Sequence, residues 1–200
     1  PVNDYLSNKQ FILLKNNIIK NNLSYSITPY NHNNKNNINF TYSIDPKNSK
    51  DIDDAFSFHD DVLEIHITDL TNLDISIEDL LKTSFTFYDE KNINMLPEEL
   101  CEDKYSLLEN NDRYVISLII NFISKEYSFK RQIINVKKNL SYEEADVLIS
   151  ENKIWKDLLH KSNIFFGNVN DSHTLIEQFM IFYNSKFNEL LSNKNFPIRI

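Results

Sequence analysis

Glycine is almost absent from this sequence, since Gly167 is the only one among 200 residues. Loops that wrap around a nucleotide phosphate need several glycines, because glycine alone adopts positive φ freely and lets the backbone approach the phosphate closely. Neither the Walker A pattern nor the dinucleotide-binding fingerprint occurs. We therefore expect no nucleotide cofactor bound by a glycine-rich loop, and any chemistry must come from other side chains.

Cysteine is equally scarce, with Cys101 alone. One cysteine excludes an intrachain disulfide and a multi-cysteine zinc site, which favours a reducing compartment. The sequence also has no apolar run long enough for a membrane span and no signal-peptide pattern at its beginning. We therefore expect no membrane partner and a cytoplasmic location. Alanine and arginine are rare too, at 2 and 3 residues against 29 asparagines, a bias typical of an AT-rich coding sequence.

Strands precede helices in the predicted order of elements and do not alternate regularly with them. This order favours the α+β class, with a mixed or antiparallel sheet and flanking helices. Residues 1–40 are interpreted as an N-terminal helix and asparagine-rich loop, and residues 41–200 as one folded domain. Hydrophobic periodicity and turn residues predict helices at 4–20, about 74–87, 141–150, around Trp155 and 172–191, and strands at 40–44, 55–59, 62–68, 114–123 and 127–136. Ser141 and Glu144 have the spacing of a capping box.

Charge is distributed unevenly along the chain. Residues 41–112 contain 19 acidic residues and 5 lysines, whereas residues 113–140 contain 6 basic residues and 1 glutamate. Solvated surfaces account for most charge runs of this kind. The alternative interpretation is a metal site next to a path for a polyanion.

Four aspartates lie within ten residues: Asp45, Asp51, Asp53 and Asp54. Asp45 ends one predicted strand and the other three lead into the next, so the turn at 46–50 folds the two groups together. Carboxylates that close repel one another unless a cation neutralises them, and hard oxygen ligands suit Mg²⁺ or Mn²⁺. Because carboxylate-held metal ions promote displacement at phosphorus, phosphodiester hydrolysis is the first reaction to consider.

Other interpretations of this acidic segment are open. An exposed acidic turn is the simplest of them. A calcium-binding EF-hand loop fits badly, because Lys47 and Phe56 would stand at ligand positions and no central glycine is present. A nucleotide-sugar site of the Asp-x-Asp type would need only Asp51 and Asp53.

Sequence blocks beyond the aspartates follow in a recognisable order. They are SIDP and DIDDA within 43–55, IHITDL at 65–70, NMLPEEL at 94–100, LSYEEA at 140–145 and LIEQFMIFYN at 175–184. In these blocks and their order the chain resembles the RNB catalytic domain of the ribonuclease II and ribonuclease R family. The resemblance covers residues 43–184 and implies an RNB-like α+β catalytic core.

Members of that family are metal-dependent 3′→5′ exoribonucleases that release nucleoside 5′-monophosphates. The resemblance implies that Asp45, Asp53 and Asp54 hold Mg²⁺ or Mn²⁺. It implies that Asp51 completes the catalytic set beside the 3′-terminal nucleotide. The alternative function is a catalytically silent RNB-like module that binds RNA or acts as a scaffold.

Single-stranded RNA is the partner that the resemblance implies. Counted back from Met95, the pocket tyrosine of the family falls on Phe87, with Tyr88 one residue later, and either ring can stack on a base. The alternative role of Phe87 is packing in the core. For Lys130, Lys137 and Lys138, named next as RNA contacts, the alternative is a solubilising role on the surface. The basic residues expected to line a phosphate path are Lys130, Arg131, Lys137 and Lys138.

Two further polar residues lie on or after the third predicted strand. His66 is expected to be a structural hydrogen-bonding group rather than a base, and Asp69 to brace the cluster from a strand end. The segment between Ala145 and Leu175 is shorter than the usual insertion of the family. Arg199 comes directly after the last matched block, whereas the phosphate-contacting arginine of the family lies well beyond it. We therefore do not assign that role to Arg199.

Overall fold

The structure of the chain is a computed structural model that describes residues 40–70 and 96–192. The elements expected at 4–20, 31–39 and 74–87 lie outside the described residues. Phe87, Tyr88 and Arg199 lie outside them as well.

A six-stranded mixed sheet forms the centre of the described structure. Its strands are β1 (Thr41–Asp45), β2 (Asp54–His59), β3 (Val62–Thr68), β4 (Asp112–Asn121), β5 (Tyr127–Asn135) and β6 (Lys138–Ser141). They lie in the order β5-β4-β3-β2-β1-β6. Every neighbouring pair is antiparallel except β1 and β6, which are parallel.

The strands of the central hairpins form where alternation predicts them. Strand β3 has the predicted bounds, with Leu63 and Ile65 fully buried. Strand β4 ends two residues earlier than expected, because the side-chain oxygen of Asn121 accepts hydrogen bonds from the backbone N–H groups of Ile123 and Ser124, both at 2.9 Å. This local turn competes with the ladder and leaves Ile123 exposed. Strand β6 was not predicted, since its four residues carry no alternation.

Three helices follow the sheet: α1 (Tyr142–Glu151), α2 (Lys153–Phe166) and α3 (Ser172–Ser192). The predicted capping box is confirmed, with Ser141 and Glu144 exchanging side-chain to backbone hydrogen bonds of 2.9 and 3.2 Å. Helix α2 is longer than the short helix expected around Trp155. Asn152 caps its first turn and Gly167, at φ 80°, ends it. Within the described residues no helix has the length and apolar content to cross a membrane.

The helices cover one face of the sheet, and the mixed sheet with its flanking helices confirms the α+β class. Phe56 on β2 contacts Trp155 and Phe179 edge to face, with ring centroids 5.7 and 5.5 Å apart. Tyr183 on α3 donates a hydrogen bond of 3.0 Å to the carbonyl of Ile116 on β4. A second apolar cluster lies apart from this core and contains Ile52, Ala55, Leu107, Val115, Ile134 and Val136.

Polar side chains form a buried row across β1 to β5. The imidazole of His66 lies between the hydroxyls of Ser57 and Ser117, at 2.8 and 2.7 Å. Gln132 donates to Ser117 at 2.7 Å, and Ser57 in turn is bonded to Thr41. Burial lowers the pKa of His66 to about 3, so the ring is neutral. The expected structural role of His66 is confirmed.

Candidate active site

The predicted aspartates come together at one end of the sheet. Strands β1 and β2 pair antiparallel through Thr41 with Ser57 and Tyr42 with Phe56. Asp45, the last residue of β1, and Asp54, the first of β2, therefore lie at the same end. Asp51 and Asp53 lie in the connection between these two strands. The four aspartates that lie within ten residues of the sequence are therefore at one end of the sheet.

The connection is a tight turn followed by a short extended segment. The backbone N–H of Ser49 donates to the carbonyl of Pro46 at 3.0 Å, and Asn48 adopts φ 70°. Asparagine tolerates this left-handed conformation better than most residues with a side chain. The N–H of Thr68, at the end of β3, then donates to the carbonyl of Asp53 at 3.3 Å. The third strand therefore holds Asp53 at the same end of the sheet.

Burial and mutual repulsion shift the pKa values of the carboxyl groups upward. Burial, with the nearby charges of Asp45 and Asp53, raises the pKa of Asp54 to about 7. Burial and the charge of Asp53 raise the pKa of Asp45 to about 6, although a hydrogen bond to Ser43 opposes the shift. Burial and three neighbouring acids raise the pKa of Asp51 to about 6. Burial raises the pKa of Asp53. A cation at this edge would relieve the repulsion.

The carboxylate oxygens at this end of the sheet are ligands that suit a hard divalent cation. One carboxylate oxygen of Asp45, Oδ2, is buried and has no hydrogen-bond partner. Such an oxygen is costly unless a ligand satisfies it. Across residues 40–70 and 96–192, however, no three side chains of the His, Cys, Asp and Glu types already converge on one metal position. The ligand set of Asp45, Asp53 and Asp54 therefore stays a prediction.

Tyr142 also lies at this end of the sheet, and the sequence did not predict it as a site residue. Because β6 runs parallel to β1 and pairs Ser141 with Asp45, the first residue of α1 follows directly beside the carboxylates. Burial and the charges of Asp45 and Asp54 raise the pKa of Tyr142. Its ring stacks on His173, at 3.7 Å between centroids and 6° between planes. The only sequence signal was its place inside the LSYEEA block.

Asp69 braces this end of the sheet through an ion pair and a backbone hydrogen bond. Its carboxylate Oδ2 lies 3.2 Å from Nε of Arg131. Its N–H donates to the carbonyl of Tyr114 at 2.9 Å. The guanidinium of Arg131 is therefore paired with a carboxylate inside the domain.

The four basic residues of the predicted phosphate path do not form one path. Lys130 and Arg131 are consecutive on β5, so their side chains lie on opposite faces of the sheet. Lys137 and Lys138 lie at β6, on the opposite edge of the sheet. Lys138 is 3.2 Å from Glu144. Proximity along the sequence suggested a patch that the strand order divides, and the RNA-binding role of each residue stays a prediction.

The structure defines an α+β domain whose mixed sheet carries four aspartates at one end. The family model of the RNB domain matches residues 34–164. The chain belongs to the RNB-domain family.

Known proteins similar to this chain agree with that membership. The 3′-5′ exoribonuclease HELZ2 of Mus musculus is 35% identical over 124 residues, which cover 54% of this chain and 4% of that protein. RNase R of Mycoplasma genitalium, solved in complex with ribose methylated single-stranded RNA, gives a TM-score of 0.63 at 20% identity and covers 95% of this chain and 40% of that one. Yeast Ssd1, described as a pseudonuclease, gives a TM-score of 0.63 at 15% identity over 87% of this chain and 27% of Ssd1. The two structures show the shared fold.

Proposed function

We propose that this chain is the catalytic domain of a divalent-metal-dependent 3′→5′ exoribonuclease that hydrolyses single-stranded RNA to nucleoside 5′-monophosphates. The observation that carries the proposal is the placement of Asp45, Asp51, Asp53 and Asp54 at one end of an RNB-family sheet. The likeness to a 3′-5′ exoribonuclease supports it. Because the chain spans a small part of that relative, the activity is proposed for this domain from its own residues.

Mg²⁺ or Mn²⁺ is the proposed cofactor, held by Asp45, Asp53 and Asp54. A bound ion of this kind stabilises charge on a phosphate and lowers the pKa of a water molecule. The chain itself supplies clustered carboxylates, of which Asp45 has a buried oxygen free to accept a ligand. Asp51 lies on the same loop and completes the proposed catalytic set.

RNA would bind at this end of the sheet, and the described residues form part of the surface that it contacts. We propose that Tyr142, which follows Ser141 next to Asp45 in the sheet, forms a wall of the site. The remaining proposed RNA contacts are Phe87, Tyr88, Lys130, Arg131, Lys137 and Lys138.

We further propose a cytoplasmic location, which the lone cysteine supports. We also propose a domain boundary near residue 40, and the match to the family model begins at residue 34.

The products formed from RNA test this function. A single-stranded RNA labelled at its 5′ end is incubated with the protein and Mg²⁺, the shortened labelled RNAs are separated by size, and the released unlabelled mononucleotides are identified by chromatography. Exonucleolytic attack from the 3′ end gives a descending ladder together with nucleoside 5′-monophosphates, and EDTA abolishes both. A single internal cut, or sugar-nucleotide turnover without RNA cleavage, would contradict the proposal.

A catalytically silent RNA-binding module is the second candidate function. The fold that the chain shares with yeast Ssd1, described as a pseudonuclease, keeps this candidate open. This candidate predicts that the protein binds single-stranded RNA but releases no monophosphate at any concentration of divalent ion. The product analysis above distinguishes the two.

A further inference from the structure

Ser106 bonds to the loop that carries the aspartates, although 54 residues separate it from Ile52. Its hydroxyl accepts a hydrogen bond from the backbone N–H of Ile52 at 3.0 Å. The same hydroxyl donates to the carbonyl of Lys50 at 2.6 Å. These two backbone groups flank Asp51 on either side, and Ser106 is 1% exposed. One buried hydroxyl therefore ties together both peptide groups next to a proposed catalytic carboxylate.

The neighbouring residue strengthens the same attachment. The N–H of Leu107 donates to the carbonyl of Ile52 at 2.9 Å. The side chain of Ile52 is 2% exposed and packs in the second apolar cluster with Ala55, Leu107 and Val115. Hydrogen bonds and apolar burial thus hold the backbone on the C-terminal side of Asp51.

Ser106 is itself held in place by the end of the sheet. The guanidinium of Arg113, on β4, donates from Nε to the carbonyl of Ser106 at 2.8 Å and from Nη2 to the carbonyl of Asp103 at 2.9 Å. The hydroxyl of Thr68, the last residue of β3, donates to the carbonyl of Tyr105 at 2.9 Å. The segment that carries Ser106 is therefore fixed to two central strands.

The same segment also sets the charge beside the loop. Leu100–Lys104 is a single π-helical turn, and its Glu102 places Oε2 3.2 Å from Nζ of Lys50. Lys50 directly precedes Asp51. The segment 100–107 therefore contacts the aspartate loop through a hydroxyl, a backbone N–H and an ion pair.

We infer that Ser106 is a positioning residue that fixes Asp51 and, through the adjoining residue Ile52, the proposed metal ligand Asp53, an inference that rests on the function proposed above. Without the hydroxyl, the N–H of Ile52 and the carbonyl of Lys50 lose their shared partner. The loop then shifts to satisfy these groups, and Asp51 and Asp53 move relative to Asp45 and Asp54. Partners that orient metal-site residues commonly change metal affinity or activity by about 10–100-fold when they are removed.

The test compares Ser106→Ala with Ser106→Thr, which keeps the hydroxyl, and with Ser117→Ala. Ser117 is a matched control, because it is a fully buried serine that hydrogen-bonds His66 and Gln132 in the middle of the sheet. Mn²⁺ affinity is measured without RNA by electron paramagnetic resonance of the free ion. The rate of monophosphate release at saturating RNA and Mn²⁺, RNA affinity in EDTA, and the unfolding midpoint are measured beside it.

We expect Ser106→Ala to weaken Mn²⁺ affinity and to slow monophosphate release about tenfold each. RNA affinity in EDTA stays within about twofold, since the contacts of RNA with the rest of the domain are unchanged. Ser106→Thr restores most of both losses. Ser117→Ala lowers the unfolding midpoint but leaves Mn²⁺ affinity and the rate unchanged.

Two results would overturn the inference and leave the proposed function intact. In the first, Ser106→Ala has the Mn²⁺ affinity and the rate of monophosphate release of the wild type. In the second, Ser117→Ala loses as much Mn²⁺ affinity and rate as Ser106→Ala does. If the wild-type protein neither binds Mn²⁺ nor releases monophosphates, the proposed function fails and the inference fails with it. If Ser106→Ala does not fold, Arg113→Lys replaces it, because this variant loosens the carbonyl of Ser106 and keeps its hydroxyl. Weaker Mn²⁺ affinity in Arg113→Lys supports the inference, and unchanged affinity overturns it.

Discussion

Asp69 and Arg131 form an ion pair across β4, with Arg131 Nε 3.2 Å from Asp69 Oδ2. The Asp69 side chain is fully buried and the Arg131 side chain is 11% exposed. Tyr183 of α3 donates a hydrogen bond to the carbonyl of Ile116, the residue that pairs with Arg131 in the sheet. Burial and the charge of Asp69 raise the pKa of that phenol.

Removal of one partner from this pair is expected to destabilise the domain. Arg131→Met leaves the buried Asp69 carboxylate without its cation, which typically costs about 3–5 kcal/mol of unfolding free energy. Urea unfolding measures the loss. The matched control is Lys138→Met, because its ion pair with Glu144 is half exposed on both sides and its loss should change the unfolding free energy much less. Equal stabilities for the two variants would show that the Asp69–Arg131 pair is not structural.

The buried imidazole of His66 should make stability depend on pH. Because its folded pKa is lowered to about 3 from 6.5, the folded state excludes a proton that the unfolded state binds. The stabilisation is complete above pH 6.5 and is lost as the pH falls below it, by about 1.4 kcal/mol per unit. The carboxyls with raised pKa values oppose this slope. His66→Gln, compared with wild type from pH 7 to about pH 4.5, isolates the contribution of His66.

The control for His66→Gln is His59→Gln. The side chain of His59 is 71% exposed and lies at the other end of the sheet. Its replacement removes an exposed imidazole and leaves the buried polar row intact. If His66→Gln shows the same slope as His59→Gln, the neutral buried ring is not the cause.

Divalent metal is expected to stabilise the protein more at pH 8 than at pH 5. The raised pKa values of Asp45 and Asp54 mean that protonation of these groups stabilises the folded state below about pH 4, and that this stabilisation is lost as the pH rises through about 6 to 7. At pH 8 the ionised carboxylates are available to a cation. An ion at 100 times its Kd adds about 2.7 kcal/mol.

Thermal unfolding with Mg²⁺ and with EDTA at the two pH values measures this difference. Asp54→Asn should reduce the stabilisation by metal at pH 8. An equal stabilisation by Mg²⁺ at both pH values would contradict the proposal that these carboxylates bind the ion.

Local sequence predicted the parts of the fold that local forces determine. Alternation located β3, and the spacing of Ser141 and Glu144 located the start of α1. Strand β6 escaped prediction because its pairing of Tyr42 with Lys138 joins residues far apart in the chain. A short polar strand on a sheet edge has no periodic signal of its own.

The candidate site was predicted in its carboxylates but not in its supports. Four clustered aspartates are visible in the sequence, since they lie within ten residues, at the ends of two strands and in the loop that joins them. The contribution of Ser106 is not visible there, because its hydroxyl meets Lys50 and Ile52 only after the chain folds. The basic residues show the opposite case, in which neighbours along the sequence are divided between two faces and two edges of the sheet.

The most direct test of the central claim is the rate of monophosphate release by Asp54→Asn. The matched control is Asp60→Asn, because the Asp60 side chain is 81% exposed and lies at the opposite end of the sheet, at φ 53°, which asparagine tolerates. We predict that Asp54→Asn binds RNA in EDTA as the wild type does but releases monophosphates at least about 100-fold more slowly, while Asp60→Asn is unaffected. Wild-type hydrolysis by Asp54→Asn would show that Asp54 has no part in the reaction.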